Sequence, residues 1–173
     1  YDLPVIEAII DAMPVAHVGH IVDGAPVVTP TLVWREGGRI FWHGSSASRM
    51  QRRAAGAEVC VTITLVDGMV LARSGLEHSV NFRSVMVFGT AEELTGAAEK
   101  THALKVMMDR MFPGRWETLR PMTTQELKAT AILSLPLTEA SAKISEGFPT
   151  ESEEDQAWPV WAGVLPIHLA MGS

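Results

Sequence analysis

Cysteine is almost missing. Cys60 stands alone among 173 residues, so no internal disulfide can form, and a reducing cytoplasm is the expected compartment. It sits in the apolar run "VCVTITLV" and reads there as a small core residue. Basic residues are in deficit as well: 14 Lys and Arg against 20 Asp and Glu leave a net charge of -6. Nucleic acids and anionic membrane surfaces both call for a basic face, so neither is an expected partner. Long apolar runs are lacking too. The most apolar tail, "WPVWAGVLPIHLAMGS", is too short and too broken by Pro159 and Pro166 to cross a bilayer.

Several catalytic signatures are absent. There is no GxGxxG after an apolar run, no GxxxxGK[ST], no HExxH, no pair of CxxC motifs and no GxSxG elbow. His17 and His20 are three residues apart in a strand-like segment, where alternation turns them to opposite faces, so they do not make a metal pair.

What is present supports one packed domain over 1–173, with 47% hydrophobic and 20% charged residues. "LPVIEAIIDAM" places Val5, Ile6, Ile9, Ile10 and Met13 on one helical face, with Pro4 at its start. The period then changes. "VAHVGHIV" and "APVVTPTLVW" flank Asp23-Gly24, a hairpin signal, and "EGG" leads into "RIFWH" as a second hairpin. "SASRMQRRAAG" predicts a short helix ending at Gly56. "EVCVTITLV" alternates as a strand, and Asp67-Gly68 predicts a tight turn into "MVLARS".

"RSVMVFGTAEEL" predicts a long strand bent at Gly89. Two helices follow. In the first, Leu104, Met107, Met108 and Met111 recur at core spacing; in "TTQELKAT", Thr123 or Thr124 caps and Glu126 completes the box. "AILSLPLTEA" is a strand ending near Pro136, an acidic loop spans 145–157, and an apolar segment spans 158–169. Dense antiparallel hairpins with few helices predict a barrel or sandwich with helices outside.

Two segments carry candidate chemistry. "FWHGSSASRM" runs from a strand end into a helix start, where backbone N–H groups are free and the helix dipole favours an anion. Ser45, Ser46, Ser48 and Arg49 would suit a phosphate there; the alternative is one serine capping the helix and a solvated arginine. "EHSVNFRSVMVFG" places Asn81, Arg83 and Ser84 before a strong strand. Arg83 offers a second guanidinium fork, or it is a loop arginine that pairs with Glu77. His78 reads as a loop residue.

With these two segments, "VVTPTLVW", "EVCVTITLVDGMVLARS", "SAKISEGFP" and "WPVWAGVLP" make an ordered set over residues 26–166. The set resembles the pyridoxamine 5'-phosphate oxidase-like, FMN-binding split-barrel superfamily, in its branch related to nitroimidazole reductases. The resemblance implies a mainly β fold with helices (α+β), a six-stranded antiparallel split β-barrel of Greek-key character. It also implies a homodimer with FMN, or FAD, in the dimer groove.

Matched by segment, Pro30, Thr31, Leu32 and Val33 would line the flavin ring. His43, Gly44, Ser45, Ser48 and Arg49 would follow the ribityl-phosphate, and Thr62 would reach the ring or ribityl chain. Arg83 and Ser84 would close the phosphate end, Val85 would start the strand beneath, and Lys143 and Trp161 would come from the partner subunit. The implied activity is oxidation or reduction of a small molecule through flavin, with a nicotinamide donor. A flavin carrier or sensor without turnover, or a haem or deazaflavin binder on the same barrel, are the alternatives; a haem would draw its ligand from His17, His43 or His168. The chain departs from the branch at Gly75-Leu76-Glu77, at Phe82 and at Ser145, positions near the expected ring side.

Overall fold

The structure is a computed structural model describing residues 2–170; Tyr1 and residues 171–173, the end of the apolar tail, lie outside the description. Helix α1 (Leu3–Ala12) begins with Pro4 in its first turn and buries Ile6, Ile9 and Ile10. Strands β1 (Val15–Val22) and β2 (Ala25–Glu36) meet at Asp23-Gly24. Both turn residues have positive φ, 51° and 82°, as the tightest hairpin turn requires. Strand β3 (Arg39–Ser45) leads into α2 (Arg49–Ala54), and β4 (Glu58–Leu71) returns to lie beside β1. The spatial order β4-β1-β2-β3 is a Greek key.

The rest of the chain closes the wall. Strand β5 (Ser79–Thr90) pairs with β4, bends at Gly89 (φ 145°) and continues into the two-residue β6 (Glu92–Glu93). Strand β6 pairs with β7 (Thr130–Pro136), which pairs in turn with β3. The chain thus bridges the two ends of one antiparallel sheet and curls it into a barrel. The six expected strands form the wall. Strand β8 (Glu139–Ser145) lengthens it on β5, and the short β9 (Gly163–Pro166) on β4.

The interior follows from alternation. Val18, Val61, Ile63, Val85 and Val87 point inward from one side, and Ile40, Trp42, Leu133 and Leu135 from the other, with α1 closing one end. Outside β2, β3 and β7, a second cluster of Trp34, Phe41 and Ile132 is covered by Ala103 and Leu104 of α3 (Ala97–Met111). Helix α4 (Thr124–Ala129) is capped by Thr123, with Glu126 closing the box. The acidic loop contains only the one-turn α5 (Glu153–Gln156).

Two expectations need correction. Asp67-Gly68 is no turn: β4 runs straight through it, with a bulge between Val66 and Gly68. Neither residue has positive φ, unlike Asp23-Gly24. Gly68 is there because β9 crosses it; a Cβ would stand 2.8 Å from Val164 Cγ1 and 3.0 Å from the Leu165 carbonyl oxygen. Cys60 is not a core residue. Val59 and Val61 point inward, which leaves Cys60 half-buried on the outer face opposite Phe88.

Candidate functional site

The β2–β3 ladder stops at Val33–Trp42, although both strands continue. Beyond that pair β2 follows β1, starting at Leu32–Val15, while β3 follows β7 as far as Ser45–Thr130. Pro30, Thr31 and Leu32 therefore face His43, Gly44 and Ser45 across a split in the wall. The Val33 N–H is taken by the Pro14 carbonyl at 2.8 Å, so alternation turns the Leu32 backbone groups toward the split. Beside Leu32 and Trp34 opens an apolar cavity of about 710 Å3, lined also by Met13, Pro14, Met111 and Phe112. Arg35 and Arg110 stand on its rim, both paired with Asp11.

The junction from β3 to α2 leaves several donors open. The Ser46 N–H goes to the Ala129 carbonyl and the Ser48 N–H to the Ser45 carbonyl. Ser48 occupies the cap position, yet its hydroxyl makes no cap bond. The first N–H groups of α2 are left without an intrahelical acceptor, as at any helix start. Arg49 is exposed and enters no ion pair among the described residues, whereas Arg53 of the same helix pairs with Asp23. Gly44 lies directly over Gln51, whose Nε2 would be 2.6 Å from a Cβ added there. No side chain other than glycine's fits that position while Gln51 holds its place.

His43 sits between the split and the outer cluster. Its ring meets Trp34 edge-on at 5.8 Å, and its Nδ1, like Trp34 Nε1, is buried without a partner. Burial pushes the imidazole below its ordinary 6.5 and keeps it neutral. The folded protein therefore takes this proton at lower pH than the unfolded chain. The associated stability is present above 6.5 and is lost as pH falls through that value toward the folded one. Wild-type thermal stability should fall relative to His43→Gln between pH 7.5 and 5, measured by circular dichroism melts; parallel profiles would contradict the assignment.

The remaining candidates do not all gather here. Pro30, His17 and Thr62 form one row across β2, β1 and β4, so Thr62 lies two strands, about 10 Å, from the β2 edge of the split. Ser84 stands farther out, between Thr64 and Lys143, and Lys143 holds its amine 5.7 Å over the Phe82 ring. Trp161 is exposed and folds its indole over Gly163. Val33 and Val85 are core residues, and only their backbones can reach a ligand.

Arg83 does not converge with Arg49 in one chain. Its fork is bidentate to Asp67 at the β4 bulge, at 2.8 and 2.7 Å, and not to Glu77. That pair holds the Asp67 carboxyl below the usual carboxylate range. Arg83 shares a cleft with Ala12 and Met13, before the start of β1, while the α2 contact at Asp23 follows the end of β1. The eight residues of β1 put about 26 Å between those ends. The Asp67 pairing, sixteen residues away in sequence, carried no signal in the chain. Among the described residues no three His, Cys, Asp or Glu are grouped to hold a metal, and no helix is long and apolar enough to cross a membrane.

The pattern of the pyridoxamine 5'-phosphate oxidase family matches residues 3–144. Among solved structures, the flavocytochrome Anf3 from Azotobacter vinelandii is 47% identical over the whole chain and 81% of its own length, with a TM-score of 0.95. The FAD and haem binding protein from Mycobacterium smegmatis is 37% identical over the whole chain and 85% of its own, with a TM-score of 0.92. A 5-nitroimidazole antibiotic resistance protein from Bacteroides thetaiotaomicron shares the fold at 23% identity, covering 82% of each chain with a TM-score of 0.66. No curated protein sequence matches.

Proposed function

The chain belongs to the pyridoxamine 5'-phosphate oxidase family, and from that premise we propose that it is a flavin-dependent redox protein with haem as its second cofactor. The observation that carries the flavin is the β3–α2 junction, where Ser48 leaves the helix start uncapped and Arg49 has no carboxylate partner among the described residues. A 5'-phosphate supplies both deficits at once. Gly44 lets the backbone approach the ribityl chain, the Leu32 backbone groups meet the ring edge, and the orphaned His43 Nδ1 and Trp34 Nε1 supply polar atoms beside it. Ser45 and Thr62 add hydroxyls along the same path. FAD is favoured over FMN by the name of the Mycobacterium smegmatis relative; either nucleotide presents the same phosphate to Arg49. Arg83, held by Asp67, is left out of the phosphate contacts.

Haem is favoured by the names of the two relatives that match the whole of this chain. It fits an end of the sheet where Leu76, Phe148 and Trp158 are each exposed, apolar area that a porphyrin would cover. Flavin exchanges electrons in pairs or singly, and haem iron singly. The chain's own part is to hold both groups, keep His43 neutral, and offer the apolar cavity beside Leu32 and Trp34 to a small acceptor or a nicotinamide donor.

The same reading takes the protein as a homodimer. The outer faces of β1, β2, β4 and β5 expose Ile21, Val28, Val66, Met86 and Phe88, an apolar surface suited to a second copy. Lys143 and Trp161 complete the flavin site across that contact.

The visible spectrum of the purified protein, with chromatography of the nucleotide it releases on denaturation, tests the reading. Flavin bands with a Soret band and released FAD are expected. A protein that remains colourless after incubation with FAD, FMN and haemin would overturn it.

A further inference from the structure

Three segments meet where β4 hands over to β5: residues 72–78, 147–151 and 158–161. Arg73 ties them together. Its backbone N–H and guanidinium bond Glu151 at 2.6 and 2.5 Å, and its Nε donates to the Trp158 carbonyl at 3.1 Å. Asn81 secures the middle segment through the Gly147 carbonyl at 3.0 Å. The result is a fixed platform, yet Leu76 is 88% exposed and Phe148 81%. Large apolar side chains left this exposed on segments tied together by hydrogen bonds imply an occupant.

His78 stands at the edge of this platform. Its Nδ1 lies 3.0 Å from the Ser74 carbonyl oxygen. A carbonyl only accepts, so Nδ1 carries the hydrogen and the neutral ring keeps its lone pair on Nε2. An N–H anchored on a backbone carbonyl is the arrangement that sets the tautomer and direction of a metal-bound imidazole. No other histidine combines these features. His20 is sealed in the barrel, and His102 spends its Nε2 on Glu36 at 2.7 Å. The buried Nδ1 of His43 has no anchor, and neither His17 nor His168 has an anchoring hydrogen bond among the described residues.

Resting on the haem reading above, we propose that His78 ligates haem iron through Nε2, with Leu76, Phe148 and Trp158 as the apolar wall of the site. The free Nε2, oriented by the Nδ1 anchor on Ser74, is what separates haem from a second copy of the chain as the occupant. A protein contact would use the apolar side chains without needing an oriented imidazole.

The test compares haem-loaded wild type with His78→Gly, following the Soret band in the oxidised, reduced and carbon monoxide-bound states. His78→Gly should retain haem at least about tenfold more weakly, with a displaced Soret band, and added imidazole should restore the wild-type spectrum. Unchanged flavin retention and circular dichroism serve as the folding control. A His78→Gly spectrum identical to wild type would overturn the ligand assignment while leaving the haem reading intact. A wild type that takes up no haem would overturn both. Leu76→Ser with Phe148→Ser should weaken haem retention; loss of dimerisation with haem retention unchanged would instead assign the platform to a second copy.

Discussion

Arg49→Ala should raise the dissociation constant for flavin by about 10- to 150-fold, the equivalent of about 1.5–3 kcal/mol for a lost charged hydrogen bond. Titration of flavin-free protein, followed by quenching of flavin fluorescence, reads this directly. The effect should shrink at high salt, because Arg49 is exposed. Arg83→Ala is the internal comparison. Its fork is occupied by Asp67, so its loss should change flavin affinity by less than about threefold, within the range of a minor contact. The damage should fall on the β4 bulge, where Asp67 would lose the partner that holds it. A larger flavin defect in Arg83→Ala than in Arg49→Ala would mean the phosphate lies at the bulge.

Trp42→Ala should destabilise the protein by about 3–5 kcal/mol, as expected for removing a fully enclosed indole. Trp42 is 0% exposed on β3, immediately before His43, and points into the barrel. It also forms the last β2–β3 pair with Val33, at the edge of the split. Urea unfolding gives the magnitude, and flavin retention should fall with it. Trp42→Phe should cost much less. The indole Nε1 has no acceptor, so replacing it leaves no stranded partner and gives up only packing. Similar costs for Phe and Ala would mean that the indole nitrogen has a partner, water included.

Much of this architecture was legible before any coordinate. Asp23-Gly24 gave its hairpin, Gly89 its bend and Thr123 its cap because each depends on a few neighbouring residues. Asp67-Gly68 failed for the opposite reason. The same dipeptide becomes a bulge when β9, nearly a hundred residues later, lies across it, and no local pattern records that visitor. Strand β9 itself is four residues long and reads only as an apolar stretch. The site divides in the same way. His43 to Arg49 are contiguous, so their chemistry could be read in one line. Arg83 needed its Asp67 partner to be interpreted, and His78 needed the Ser74 carbonyl and the exposed platform. Both depend on turns and bulges that amino-acid order alone does not fix.

The position of the flavin phosphate tests the central claim most directly, and a crystal structure of the flavin-loaded protein would locate it. The phosphate is expected within hydrogen-bonding reach of the Arg49 guanidinium and the Ser45 and Ser48 hydroxyls, with Arg83 still on Asp67. A phosphate seated on Arg83 with Asp67 displaced, or a flavin lying away from the β2–β3 split, would contradict it.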